Sequence, residues 1–362
     1  MQPSDIKNYD YRIDLIRAIA CGLVALVHFG VPTWTSKITE VGFIADTVIL
    51  AFIHTGWIGV TIFLFISGYS LSLNKFDASY GRLDFKQYFI NRFLRIMPLW
   101  IVCITILIIS HKINGQTAIN LFLLQLQDLP SSTAFNIGWS LQLEVACYFL
   151  FPIFYLALKR NDNKQILAFY LFFLGMRLWV SYLPSSALFQ WSYASIFGGA
   201  TIFLSGMIAA KLKILKKGLF SNLLMYGGIL LLTIFVVIIW KSGGYQNPVG
   251  LRSKIMIILM PEILSVILLL IVKGYLTESR VALEKRNYLY RYFCYFGKIS
   301  YSAYLLSLFN LDLCQRIFAF VTPGGWMSFV LFSALYFGML TVIASISFYA
   351  IEKPFLDIRR RY

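Results

Sequence analysis

The side chains of Asp14, Arg17 and His28 interrupt a strongly apolar stretch between residues 11 and 30. Arg17 and His28 are eleven residues apart. At about 100° per residue they share one face of a helix, about 16 Å apart along its axis. Charged groups are costly in hydrocarbon and usually face a protein interior or a wet cavity, where they mark function. A structural alternative is an arginine that reaches the interface and a histidine that only forms a hydrogen bond.

A second apolar segment, residues 138–152, carries Ser140 and Glu144 on one helical face as i, i+4 neighbours. Counted inward from Trp139, Glu144 lies about one and a half turns below the outer surface, at a depth similar to that of His28. A buried carboxylate beside an imidazole orients it and raises its basicity, which suits a general base. A structural hydrogen bond that ties two helices together explains the same spacing.

Cationic side chains cluster in the segment 85–100, where apolar residues recur at every fourth position from Phe85 to Met97. Arg92 and Arg95 lie between them. This pattern predicts an amphipathic cytoplasmic helix that ends at Pro98, where the third membrane span begins. The arginines suit either lipid phosphates or the phosphates of a soluble ligand.

A small-residue pair, Ser67 and Gly68, precedes Tyr69 near the predicted cytoplasmic end of the second span. Small side chains allow a ligand or another helix backbone to come close, so both donor binding and helix packing are open.

Arg177, Glu262 and Asp312 lie in the predicted outer half of three other spans. They either pair with each other for structure or line a polar pocket that opens to the outside.

Composition identifies the membrane as the environment of all these groups. The chain has 362 residues, of which 59% are hydrophobic and 13% charged, and its mean hydropathy is +0.73. A soluble domain carries about 25% charged residues. The net charge of +16 would suggest nucleic acid in a soluble protein, but in this chain it indicates topology and contact with anionic lipids. Three scattered histidines do not support a metal site, and the five cysteines are interpreted as reduced packing thiols.

The sequence predicts an all-α membrane bundle of about ten spans in one domain over residues 1–362, without a cleavable signal peptide. The predicted spans are 12–33, 48–73, 97–111, 138–158, 166–183, 193–212, 222–240, 254–273, 291–317 and 326–350.

The distribution of lysine and arginine predicts that both termini are cytoplasmic, because most basic loop residues then fall on the inner side. The outer loops hold only Lys37, Lys112, Lys241, Arg252, Lys254 and Arg316. The longest outer connection, 113–137, is where an acceptor would be received.

Several stretches, taken in order, resemble the acyltransferase family 3, a family of multi-pass bacterial membrane enzymes. The matching elements are Arg17 and His28 as R-x10-H, 63–69 (FLFISGY), 92–100 (RFLRIMPLW), 139–144 (WSLQLE), 297–305 (GKISYSAYL) and 352–355 (EKPF). Together they span nearly the whole chain. Many members have histidine where Ser307 stands, which argues against a catalytic role there. We expect no fused esterase-like domain.

The resemblance implies transfer of an acyl group, most often acetyl, from cytoplasmic acyl-coenzyme A to a hydroxyl of a surface polysaccharide or lipid-linked glycan. It places the chain in the bacterial inner membrane, with acyl-coenzyme A as co-substrate, no bound cofactor or metal, and an open oligomeric state. His28 is then the expected general base, oriented by Glu144. The expected donor-binding residues are Arg17, Ser67, Gly68, Tyr69, Arg92 and Arg95, and the candidate oxyanion or acceptor contacts are Trp139, Ser140, Arg177, Glu262 and Asp312.

Two other classes of function fit parts of the pattern. A transporter or flippase for a glycan or lipid precursor suits ten spans with buried charges, although no repeated halves are evident and R-x10-H has no transport rationale. A structural scaffold in an envelope complex would not need polar residues matched in depth on two helices.

Overall fold

The computed structural model describes residues 10–34, 43–73, 75, 84–110, 113, 115, 117, 119, 138–180, 182, 192–242, 251–278, 286–318 and 325–359. Within these ranges the chain is helical and contains no strand. The helices are α1 (Tyr11–Trp34), α2 (Phe43–His54), α3 (Ile58–Ser72), α4 (Phe85–Ile109), α5 (Gly138–Lys159), α6 (Asn163–Val180), α7 (Ile196–Lys211), α8 (Leu219–Lys241), α9 (Leu251–Tyr275), α10 (Tyr288–Lys298), α11 (Ser300–Phe318), α12 (Gly325–Ser347), a π-helical turn (Phe348–Glu352) and α13 (Lys353–Arg359).

Five helical stretches in the described ranges are long and apolar enough to cross a membrane: α4, α5, α8, most of α9, and the run from Met327 to Ile358. The pair α2–α3 adds a sixth if its two parts, bent by 65°, form a single span. The all-helical class is therefore confirmed. The ten spans and the cytoplasmic termini stay a prediction, and the outer connection 113–137 falls almost wholly outside the described residues.

The predicted boundary at Pro98 is wrong, because α4 runs unbroken from Phe85 to Ile109. The side chain of Asp84 caps its first turn by accepting a hydrogen bond from the Gln87 amide at 3.0 Å. Proline removes one helical hydrogen bond, but the neighbouring Leu99 and Trp100 are fully buried and hold the helix against the bundle.

The last predicted span, 326–350, is too short, since the helix continues through Pro354 to Arg359. The amide of Lys353 donates to the carbonyl of Phe348, five residues earlier, which defines the π-helical turn. The extra residue in this turn lets Pro354, which has no amide hydrogen, enter the first turn of α13. The ninth predicted span is similarly divided, at Ile299, into α10 and α11.

Helix α3 occupies the centre of the bundle, packed between α1 and α7. A Cβ atom added to Gly68 would overlap the carbonyl oxygen of Phe203 on α7, and one added to Gly206 would overlap that of Phe65 on α3. The two backbones thus approach through reciprocal glycines, as small residues allow between membrane helices. Gly59 similarly lies against the carbonyl of Ala20 on α1.

Large apolar side chains remain exposed around the perimeter of the bundle, notably on α4, α6, α8 and α12. Examples are Ile109, Trp179, Leu223 and Ile346. Such a surface is suited to lipid contact rather than to water. In contrast, all five cysteines are free thiols buried within the bundle.

Candidate active site

A cavity of about 50 Å³ lies inside the bundle where α1, α3, α4, α5 and α11 meet. This volume has room for a few atoms of water size. Its apolar wall includes Phe63, Leu64 and Leu141. Its polar lining consists of Arg17, Ser67, Arg95, Ser140, Glu144, Ser300, Tyr301 and Tyr304. The structure therefore gathers predicted site residues from four separate elements of the chain around one space.

Arg17 points along α1 toward the end of α3. Its guanidinium donates to Asp14 Oδ1 at 3.1 Å and to Ser70 Oγ at 3.3 Å. The Asp14 side chain is 3% exposed and that of Arg17 is 20% exposed. Arg17 is thus held as part of a buried ion pair while it still reaches the cavity.

Glu144 accepts hydrogen bonds from Ser67 Oγ at 2.7 Å and from the Tyr148 hydroxyl at 2.5 Å. No hydrogen bond joins it to His28, although both residues lie in described helices. The carboxylate therefore lies in the same cavity lining as Arg17 and Ser67. The similar depth expected for Glu144 and His28 stays a prediction, and the contacts of Glu144 are with Ser67 and Tyr148.

His28 is a half-buried residue of α1 and does not line the cavity. It forms no hydrogen bond or ion pair with any residue that the structure describes. The next residue, Phe29, is fully buried. Its ring packs against those of Phe332 and Tyr336 on α12. Because α1 is helical from Tyr11 to Trp34, Arg17 and His28 do share a face, about 16 Å apart along the axis.

Arg95 is the second cation of the cavity lining. Its side chain is half-buried and forms no hydrogen bond or ion pair with a described residue, which leaves its donors available to a ligand. Arg92, one turn earlier, does not line the cavity, and instead its guanidinium lies over the ring of Tyr148 at 5.6 Å. Arg92 therefore packs on the same tyrosine whose hydroxyl donates to Glu144.

Hydroxyl groups form much of the remaining polar lining of the cavity. Ser140 Oγ and the Tyr304 hydroxyl are 2.5 Å apart. The Tyr301 hydroxyl donates to the carbonyl of Ile96 at 2.7 Å and so ties α11 to α4. Trp139, predicted as a contact beside Ser140, is half-buried but does not line the cavity.

Gly68 and Tyr69 are not brought to the cavity. Gly68 lies against the backbone of Phe203 on α7, and Tyr69 is buried. Gly68 therefore has the helix-packing role that was the alternative to donor binding.

Arg177 and Glu262 form an ion pair that links α6 to α9, with the arginine fully buried and the carboxylate 29% exposed. Arg177 also donates to the carbonyl of Phe197 at 2.9 Å and to Thr201 Oγ1 at 3.2 Å, both on α7. Asp312 is an exposed residue of α11. None of these three lines the cavity, so pairing, the structural alternative, accounts for Arg177 and Glu262.

Sequence reasoning missed Tyr148 and Tyr304 as site residues. Tyr148 follows Glu144 by four residues, so the spacing that linked Ser140 to Glu144 also pointed to it. Tyr304 lies in the 297–305 element, which entered only through the family resemblance. Its partner Ser140 is 164 residues away in sequence, a distance that no local pattern could bridge.

Comparison with known proteins identifies the family of the chain. A family model described as an acyltransferase domain matches residues 10–348. A protein of the Acidianus two-tailed virus, named "Putative acetyltransferase ORF330", is 30% identical over 167 residues. That match covers 44% of this chain and 44% of the viral protein, less than half of either. No solved structure matches the chain significantly.

Proposed function

The chain belongs to the acyltransferase domain family, and on that premise we propose that it is a multi-pass membrane O-acyltransferase. The proposed donor is cytoplasmic acyl-coenzyme A carrying acetyl, and the proposed acceptor is a hydroxyl of a cell-surface polysaccharide or lipid-linked glycan in a bacterial inner membrane. One observation carries the proposal: a cavity inside an apolar bundle combines two arginines, a carboxylate and paired hydroxyls.

The arginines suit a donor that is a polyanion. Guanidinium groups bind phosphate oxygens through charge-assisted hydrogen bonds, often two at a time. Arg95 supports this role because its donors have no partner among the described residues. Arg17 adds positive charge from α1, and Arg92 lies one turn from Arg95 on α4.

Transfer requires that the acceptor oxygen attack the thioester carbonyl carbon while a base removes its proton, because a neutral alcohol is a weak nucleophile. The C–S bond then breaks, and the coenzyme A thiolate takes up a proton. We assign the base to His28, which shares a face of α1 with Arg17. The carbonyl oxygen gains negative charge in this step, and the hydroxyls of Ser140 and Tyr304 are suited to donate to it.

Glu144 is assigned to the donor cavity rather than to His28. Its carboxylate is fixed by Ser67 and Tyr148, so it forms part of the polar lining of the cavity. This assignment replaces the orienting role that the sequence predicted.

The decisive experiment supplies labelled acetyl-coenzyme A and extracted surface polysaccharide to the purified full-length protein in detergent or nanodiscs. We expect label to appear in ester linkage on the glycan. Arg17→Ala should raise the KM for the donor about tenfold, because one charge-assisted hydrogen bond contributes about 1.5–3 kcal/mol. Lys217→Ala, which removes an exposed cation far from the cavity lining, is the matched control. Glycan movement across vesicles without acetyl transfer would instead favour a transporter.

A further inference from the structure

We propose that Glu352 is a positioning residue for Arg95: its buried carboxylate orients the guanidinium that receives the anionic donor. This inference rests on the proposed function, since it concerns the same cavity, but it adds a residue from the opposite end of the chain. Glu352 does not line the cavity and touches no proposed substrate atom.

The π-helical turn places this carboxylate inside the protein. Glu352 is 6% exposed and accepts a hydrogen bond from the Ser302 hydroxyl. Ser302 Oγ in turn lies 3.2 Å from Ser347 Oγ. Burial of an ionised carboxylate is costly unless hydrogen bonds and an opposite charge compensate for it. One serine hydroxyl supplies a hydrogen bond, so a cation nearby is the remaining requirement.

Arg95 is the candidate for this cation, because contacts made by its neighbours in the chain join α4 to the region around Glu352. Helix α4 packs against both the π-helical turn and α13. Tyr301, which precedes Ser302, donates to the carbonyl of Ile96, which follows Arg95. Glu352 and Arg95 carry opposite charges on the two sides of this junction. These contacts bring the element that carries the carboxylate against the element that carries the guanidinium, and no ion pair joins these two described groups.

The other cations near the turn are occupied differently. Lys298 is exposed and lies over the ring of Phe348 at 5.6 Å, and Lys353 is exposed and lies over that of Tyr349 at 5.5 Å. Neither forms an ion pair with Glu352 in the part of the chain that the structure describes. Arg95 is half-buried and keeps its hydrogen-bond donors unused by described residues. Glu352 can thus position the Arg95 guanidinium while the N–H donors of that group stay available to a ligand.

The experiment measures coenzyme A binding by titration calorimetry to the full-length protein in nanodiscs, for the wild type, Glu352→Gln, Arg95→Ala and the double variant. Glutamine keeps the shape and an acceptor for Ser302 but removes the charge. We expect Glu352→Gln to weaken binding about tenfold and to add less than about twofold when Arg95 is already alanine. In turnover assays the KM for the donor should rise while kcat changes less than about twofold. Lys353→Gln, its exposed neighbour, is the control.

Equal affinity of Glu352→Gln and the wild type would overturn the role of Glu352, as would an effect that persists at full size in the Arg95→Ala background. A wild type that binds no coenzyme A would contradict the proposed function and this inference together. If Glu352→Gln fails to fold, Ser302→Ala removes the hydroxyl that fixes the carboxylate while keeping its charge. That variant should also weaken binding, and only when Arg95 is present.

Discussion

His28 and Glu144 are the two side chains on which catalysis was expected to depend, and they make different contacts. Glu144 is fixed by Ser67 and Tyr148 beside the arginines. His28 lies on the face of α1 that it shares with Arg17 and is half-buried. At the scale of single residues, the proposed chemistry is therefore divided between a donor cavity and a base.

The role of His28 leads to the first prediction. His28→Ala should lower kcat by about 10²–10⁴-fold, the range typical of a lost general base. The affinity for coenzyme A should stay within about twofold of the wild type, because His28 does not line the cavity. Steady-state transfer assays and calorimetry measure the two quantities separately. Near-normal transfer by the variant would contradict the base assignment.

The separation of Glu144 from His28 gives the second prediction. Side chains without shared contacts have nearly additive effects, to within about 0.5 kcal/mol, whereas members of one catalytic unit do not. The losses in kcat/KM caused by His28→Ala and Glu144→Gln should therefore multiply in the double variant. If the double variant is no slower than His28→Ala alone, the two residues act as a pair after all.

At the scale of elements, the packing of α3 on α7 is the most constrained interface. Gly206→Ala should lower thermal stability, because the new Cβ would overlap the carbonyl oxygen of Phe65. Overpacking of this kind costs about 1–3 kcal/mol. Gly22→Ala on α1 is the matched control, since a Cβ there meets nothing within 4 Å and alanine favours a helix. Thermal unfolding in detergent should give a lower midpoint for Gly206→Ala than for Gly22→Ala. Equal midpoints would refute the close approach of α3 and α7.

Hydrophobic patterning was sufficient to predict helices such as α1, α5 and α8, whose bounds differ from the predicted spans by a few residues. It failed where tertiary packing overrides a local signal. Pro98 marked a predicted helix end, yet it lies inside α4, where buried neighbours hold the helix against the bundle. Pro354 lies beyond the predicted last span, yet it is also helical, because a π-helical turn precedes it. The break at 55–57 had no composition signal that distinguished it from the rest of its span.

For the site, too, local patterns were predictable from the sequence and tertiary contacts were not. Residue types in apolar surroundings identified Arg17, Ser67, Arg95, Ser140 and Glu144, all of which line the cavity. The partners of these residues were not predictable, because hydrogen bonds such as Ser67 to Glu144 join positions 77 residues apart. Glu144 accepts from Ser67 and Tyr148, and no hydrogen bond joins it to His28 within the described helices.

At the scale of the whole molecule, the distribution of basic residues predicts sidedness. Reporter fusions at Lys216 should be active in the cytoplasm, and those at Lys112 should be active on the outer side, because positively charged loops stay inside. An alkaline phosphatase and a fluorescent protein report the two compartments. The same compartment for both positions would contradict the ten-span topology.

The burial of all five cysteines has a practical consequence for the labelling of the intact protein. Buried structural thiols react poorly with aqueous reagents, so the wild type should take up little membrane-impermeant maleimide while it is folded. Each added cysteine then becomes a reporter without prior removal of the native ones. A cysteine introduced at exposed Lys216 would be modified from one side of a sealed vesicle only.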